Sequence, residues 1–320
     1  MAFKFSGIFA RSLGPAEAAA PAPPVPVMAA ARKYGSEREA LILQCHGMGD
    51  CLFAMPIIKD MAANHADRSF DLFTHHPELY RRCPYVGLVH AIGDSAIDDY
   101  TVTRKLFELD KLRHFDMDTM DLISIPLRGG QLSFREKQLE YFPQELDRAG
   151  TYDVVLNTSA TWPTRTWKLE NWQRLADALT ARGFSVAVVG KDVESPNEDM
   201  QKLSYALEHC DNLVNRLSLD QTYFTIAKCK LFVSCQNGLS VLAGATDTEI
   251  VVLGMSIEWS KRALYRRGSP FHKITYVEGG CSIYCGTHKH CRRPEYEGGG
   301  NFLCVPSYDA VEAAVLGKLA

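Results

Sequence analysis

The chain has 320 residues, enough for two domains of ordinary size, and its 46% hydrophobic and 23% charged content is that of a soluble globular protein. A formal net charge of −3 lacks the basic field that a nucleic-acid partner requires, so none is expected. No run of about 18 apolar residues occurs, which excludes a transmembrane helix.

The opening MAFKFSGIFARSL is interrupted by Lys4, Ser6 and Arg11 and is not expected to act as a secretory signal. Residues 14–31 are dominated by alanine, proline and valine, with five prolines from Pro15 to Pro26. Such a segment buries too little surface to offset its ordering entropy, so 1–35 is expected to be a flexible tail. Ala40 to Gln44 is a short apolar run ending in Gly47-Met48-Gly49-Asp50, after which Phe53, Ala54, Ile57, Ile58 and Met61 recur on one helical face. Strand, glycine turn and helix make the first step of a doubly wound α/β domain.

Phe70 to Thr74 and Leu88 to Ile92 are the next predicted strands. From Asp94 to Gly150 the pattern is charged and without clear period. Its Arg104, Lys105, Lys111 and Arg113 either meet a phosphorylated acceptor or line a solvated helix face. Strands are predicted again at 153–157, 185–189, 231–234 and 249–253. Helices between them fit the spacing of Trp172, Leu175, Ala176 and Leu179, and of Tyr223, Ile226 and Ala227. The expected architecture is two doubly wound α/β domains, 36–148 and 149–320, joined near 145–150.

Of ten cysteines, six are scattered in or beside apolar runs and four crowd the C-terminal stretch 281–304: Cys281, Cys285, Cys291 and Cys304. The chain is too long for a disulfide scaffold, so a reducing cytosol is expected. Four thiolates on loops can close tetrahedrally around zinc or iron, with His288 and His290 as alternative ligands. Such a closed site would be structural, not catalytic. The alternative is a set of reduced thiols.

The first glycine turn is not a dinucleotide fingerprint, because Leu52 stands where the third glycine belongs. His75 and His76 stand where an acidic ribose ligand would end the second strand. Asp50 at this strand-to-helix junction is either an active-site group or a helix cap.

The segment HGMGDCLFAMPIIKDM, with Gly49, Asp50 and Pro56, resembles the opening motif of glycosyltransferase family 9, the heptosyltransferases. TWPTRTWKLENW resembles the family's Lys-x-Trp-Pro element, with Arg165 and Trp167 in the lysine and tryptophan places and Lys168 for proline. LFVSCQNGLSVLAGA resembles its Asp-Ser/Thr-Gly-x-x-His-Leu-Ala block, with Gln236 for aspartate and Val241 for histidine. The resemblance implies a GT-B fold, two Rossmann-like domains facing a cleft, and an inverting transfer of a sugar, heptose by family, from a nucleotide-diphosphate donor. The acceptor hydroxyl would belong to a glycan or a protein. Asp50 would be the base. Arg165, Lys168, Gln236, Asn237, Gly238 and Leu239 would bind the donor, the last three at a helix start with free amides. An acidic ribose contact corresponds to Glu198 or Glu194.

No catalytic cofactor is implied, and a family subgroup that glycosylates autotransporters and binds iron through four cysteines resembles the 281–304 arrangement. The implied setting is the cytoplasm, up to the inner face of the membrane. The alternatives are a catalytically silent GT-B relative that binds nucleotide or glycan or serves as a scaffold, and a nucleotide-sugar epimerase.

Overall fold

The computed structural model describes residues 33–108, 138–144, 150–159, 163–192, 204–281, 283, 291 and 303–320. Of the residues named above, Glu194, Glu198, Cys285, His288, His290, Lys111, Arg113 and almost all of the tail lie outside them. Two parallel sheets follow one another along the chain. The first contains β1 (Tyr34–Gln44), β2 (Ser69–Thr74), β3 (Val89–Ala91) and β4 (Tyr100–Glu108), in the order β3-β2-β1-β4. The second contains β5 (Val154–Asn157), β6 (Val186–Val189), β7 (Asp211–Asn212), β8 (Leu231–Cys235), β9 (Glu249–Gly254) and β10 (Ile274–Glu278), in the order β10-β9-β8-β5-β6-β7. Helices α1 (Met48–Asn64), α2 (Leu169–Ala181), α3 (Leu219–Lys228), α4 (Gly238–Gly244) and α5 (Tyr308–Leu319) connect or follow the strands.

The second sheet is covered on both faces, so its central strands read as unbroken apolar runs. Val154 and Leu156 face the layer of Trp167, Trp172, Leu175, Leu179, Val311 and Val315, while Val155 and Phe232 face the opposite core. That opposite core is continuous with the first sheet through Leu41, Leu43 and α1. Helix α1 is therefore buried on nearly every side from Gly49 to Met61, where one apolar face was expected, because it lies between its own sheet and α4. Each fully buried Leu, Ile or Met contributes about 1.5–3 kcal/mol.

The patternless stretch conceals β4, an edge strand parallel to β1. Arg104 and Lys105 thus sit on a strand instead of a helix face, and Arg104 Nε bonds Glu39 Oε1 at 2.5 Å. The first sheet is further locked by Asp71 on β2, whose buried carboxylate accepts from Arg38 Nε (2.5 Å) and Nη2 (2.9 Å), Tyr100 Oη (2.5 Å) and the Leu88 amide (2.6 Å). The segment 138–144 touches both halves: Glu140 accepts from Lys59 and Tyr85, and Tyr141 donates to Asp220 on α3.

Candidate active site

In parallel sheets every strand delivers its C-terminal end to the same edge, where loops can gather polar groups without disturbing the ladders. Here β1 leads through Cys45-His46-Gly47 into α1, β8 through Gln236-Asn237 into α4, and β9 toward the 3-10 turn Trp259–Arg262. The first turns of α1 and α4 meet at their glycines.

Asp50 is the third residue of α1, whose N-cap is Gly47 without a side-chain cap bond, so the capping alternative does not hold. Its Oδ1 instead accepts from Arg262 Nη1 at 2.5 Å, and the two side chains are only 15% and 16% exposed. Arg165 ends the 3-10 turn Pro163–Arg165 and donates through Nη2 to the Gln236 carbonyl. Burial, followed by repulsion from Arg262, lowers its pKa to about 10, against the attraction of Asp50. Two guanidiniums and a carboxylate thus share one electrostatic site. Neighbouring Trp167 is a core anchor, its Nε1 donating to the Pro306 carbonyl at 3.0 Å. Lys168 is exposed at the N-cap of α2.

The side chain of Gln236 is 5% exposed, and neither its Oε1 nor its Nε2 has a hydrogen-bond partner among the described residues. An orphaned buried amide is costly in a native interior and points to a missing partner. Asn237 corrects an expectation. Its Oδ1 accepts from the Leu239 (3.0 Å) and Ser240 (3.2 Å) amides, and Ser240 Oγ accepts from the Asn237 amide (3.1 Å). This capping box occupies amides that had been expected to be free for phosphate. Asn237 is itself fixed by Asn157 at the end of β5, to which its Nδ2 donates at 2.6 Å. Ser234 Oγ bonds the same Asn157 oxygen at 3.0 Å. Val241, in the place of the family histidine, is buried, and its Cγ2 lies 3.3 Å from where a methyl on Gly49 would be. An apolar side chain suits that packed position.

Arg262, Asn157 and His46 escaped the sequence reading, and His75 and His76 entered it only as the end of the second strand. The His46 and His75 rings stack at 4.1 Å, and His76 bridges the His46 carbonyl and Glu78 Oε1, each at 2.9 Å. Arg262 belongs to no periodic element, and its partner is 212 positions away, so no local signal marks it. Asn157 ends an otherwise apolar strand, which was the available clue.

Of the four cysteines proposed to bind metal, Cys281 and Cys304 are buried on neighbouring stretches of chain, since Gly279 packs against the Leu303 and Cys304 backbone. The Cys281 thiol is directed to the Ile283 carbonyl at 3.3 Å and that of Cys304 to the Thr164 carbonyl at 3.9 Å. No three metal-binding side chains converge among the described residues. The fit to a metal is therefore incomplete.

Comparison with known proteins agrees with this architecture. The family model for glycosyltransferase family 9 (heptosyltransferase) matches residues 97–255. Lipopolysaccharide heptosyltransferase 2 of Salmonella typhimurium is 33% identical over 94 residues, which cover 28% of this chain and 27% of that protein. The match thus spans about a quarter of that relative's length. The glycosyl transferase family 9 structure from Veillonella parvula superposes with a TM-score of 0.64 at 13% identity, over 90% of this chain and 99% of that one. TibC, a dodecameric iron-containing glycosyltransferase of Escherichia coli, gives 0.61 at 15% identity, over 88% of this chain and 75% of that one. These likenesses establish the GT-B arrangement of two Rossmann-like sheets, and the family match leads to one conclusion: the stretch 97–255 of this chain is a glycosyltransferase family 9 sequence.

Proposed function

We propose that the chain is an inverting glycosyltransferase that moves a sugar from a nucleotide-diphosphate donor to a hydroxyl of a glycan or protein. The single observation that carries this reading is the carboxylate of Asp50, held in the first turn of α1 beside the guanidiniums of Arg262 and Arg165. A sugar hydroxyl is a poor nucleophile until its proton is leaving, and Asp50 supplies the base. The acceptor oxygen attacks the anomeric carbon from the face opposite the leaving group, forming one C–O bond as the bond to the diphosphate breaks. The configuration inverts, and Asp50 takes the proton. Arg165 and Lys168 stabilise the charge that develops on the departing diphosphate. Residues 36–148 receive the acceptor and 149–320 the donor.

The names of the relatives, lipopolysaccharide heptosyltransferase and a TibC complex with ADP-D-beta-D-heptose, favour ADP-heptose as donor and a lipopolysaccharide acceptor. That chemistry belongs in the cytoplasm at the inner membrane face, and no described helix is long and apolar enough to cross a membrane. The mechanism routes no step through a metal. A structural zinc or iron on Cys281, Cys285, Cys291 and Cys304 is supported by the iron-containing relative, and elemental analysis of protein purified without an affinity tag tests it.

A silent nucleotide-binding relative is the second reading, favoured by the Leu239 and Ser240 amides that Asn237 already occupies. One experiment separates the two. Thermal shift with ADP, UDP, GDP and CDP is followed by an assay for nucleotide release from ADP-heptose with a lipopolysaccharide-core acceptor. A ligand at 100 times its Kd adds about 2.7 kcal/mol, a shift of several degrees. Stabilisation by ADP with turnover supports the transferase. Stabilisation without turnover supports the silent relative, and no response in folded protein overturns the transferase and leaves a silent glycan-binding or scaffold relative.

A further inference from the structure

Arg262 is committed to Asp50 in the ligand-free protein, at 2.5 Å and with both side chains largely buried. A carboxylate so held is poorly placed to accept a proton, because the oxygen facing Arg262 is already an acceptor. Its other oxygen, Oδ2, lies over Gly47, 2.7 Å from where a methyl on that glycine would be. With Oδ1 engaged by Arg262, only Oδ2 is open to a hydroxyl until this pair loosens. The remaining groups suggest what loosens it. Arg165 is half-buried and close enough to Arg262 to be repelled by it, so an anion beside the two cations gains from both. Beside them the Gln236 side-chain amide is buried with both of its polar atoms unsatisfied among the described residues, while the backbone carbonyl of the same residue accepts from Arg165. This site has cations, an orphaned donor and an orphaned acceptor, and one carboxylate that is needed elsewhere.

We propose that Arg262 changes partner during the reaction: it holds Asp50 in the free protein and turns to the diphosphate of the donor when that binds, releasing Asp50 for the acceptor hydroxyl. The inference rests on the nucleotide-donor reading and deepens it, making Arg262 a catalytic residue and the order of binding donor first. A guanidinium fork suits a diphosphate at least as well as a carboxylate, since both present paired oxygens. Base and leaving-group stabiliser are thereby coupled, because the base comes free only when a leaving group is present to occupy Arg262.

The test is isothermal titration of the full-length protein with ADP, or with whichever of UDP, GDP and CDP stabilises it. The proteins compared are wild type, Asp50→Asn, Arg262→Gln, Arg262→Lys and the Asp50→Asn/Arg262→Gln double variant, each shown to be folded by circular dichroism. Removing the fork in Arg262→Gln is expected to weaken binding about 10- to 100-fold, and Arg262→Lys less, because it keeps the charge. Asp50→Asn is expected to strengthen binding about 3- to 10-fold by freeing Arg262.

The decisive comparison is the double variant. If Asp50 competes for Arg262, the gain from Asp50→Asn disappears once Arg262 is gone. If that gain persists, Asp50 merely repels the anion through space and the partner change is wrong. Unchanged affinity in Asp50→Asn, or in Arg262→Gln, also overturns it while leaving the nucleotide-donor reading intact. A folded wild type that binds none of the four nucleotides overturns both.

Discussion

A methyl group on Gly49 would lie 3.2 Å from the Cα of Gly238, so the first turns of α1 and α4 meet glycine to glycine. This contact sets the two helix starts side by side, one residue from Asp50, and any larger residue would push them apart. Gly49→Ala would meet both the Gly238 backbone and Val241, and either α1 or α4 must yield by a few tenths of an ångström. The expected outcome is a loss of about 1–3 kcal/mol in urea unfolding, with a fall in transfer rate larger than the stability loss explains. A control is Gly317→Ala in α5, where a methyl meets nothing; it should gain up to about 1 kcal/mol. Equal stability for Gly49→Ala and wild type would show that the two helices are not held by this contact.

Asp50→Asn keeps the size and much of the hydrogen bonding of the side chain while removing its basicity. If Asp50 is the base, transfer should fall about 10²- to 10⁴-fold with nucleotide binding retained. The measurement is nucleotide release from ADP-heptose at saturating acceptor. A variant with full kcat would remove Asp50 from its assigned role.

The strands of the second half were legible because both faces of that sheet are covered, so Val154 to Leu156 and Ile250 to Leu253 are continuous apolar runs between turn residues. The first helix was legible from its glycine turn. Strand β4 was not, because an edge strand alternates polar and apolar residues, and in the sequence YTVTRKLFE those charges read as a surface helix. Strand β10 and helix α5 were likewise missed.

The site was half legible. Asp50, Arg165 and Gln236 carry local motifs, whereas Arg262 and Asn157 act through partners 212 and 80 positions distant. The Leu239 and Ser240 amides of α4 are not free, because Asn237 with Ser240 three residues later is a capping box that occupies them.

Asp71 is the buried carboxylate on which the first sheet depends for acid stability. Burial pushes its pKa up, but bonds from Arg38, the Leu88 amide and Tyr100 outweigh that and leave it below the usual 3.8. A depressed carboxylate contributes stability that is present above its unfolded pKa and is lost as pH falls through its folded pKa. Wild type should therefore lose stability below about pH 4 in part through this group. Asp71→Asn should be about 3 kcal/mol less stable at pH 7, because Arg38 and Tyr100 lose their anionic acceptor, and its acid limb should be flatter. Identical acid limbs for the two proteins would show that Asp71 does not titrate with unfolding.

The paired histidines beside the Asp50 turn are expected to titrate on opposite sides of the ordinary value. His76 is raised above 6.5, first by its bond to Glu78, then against burial and with help from the His46 carbonyl. His75 is lowered, first by burial and then by His46 and His76. The signs differ accordingly. The contribution of His76 is fully present below the unfolded pKa and is lost as pH rises through its higher folded pKa, whereas His75 favours folding above the unfolded pKa and weakens it as pH falls. In two-dimensional NMR of the ring Cε1–H groups, the His76 midpoint should lie above that of His75, on the other side of the ordinary value. Glu78→Gln should bring His76 down toward 6.5 and free the His46 carbonyl that it steadies ahead of Gly47 and Asp50. If His75 titrated above His76, or if Glu78→Gln left His76 unmoved, the bridge between the ends of β1 and β2 would not exist in solution, and the turn carrying Asp50 would need another support.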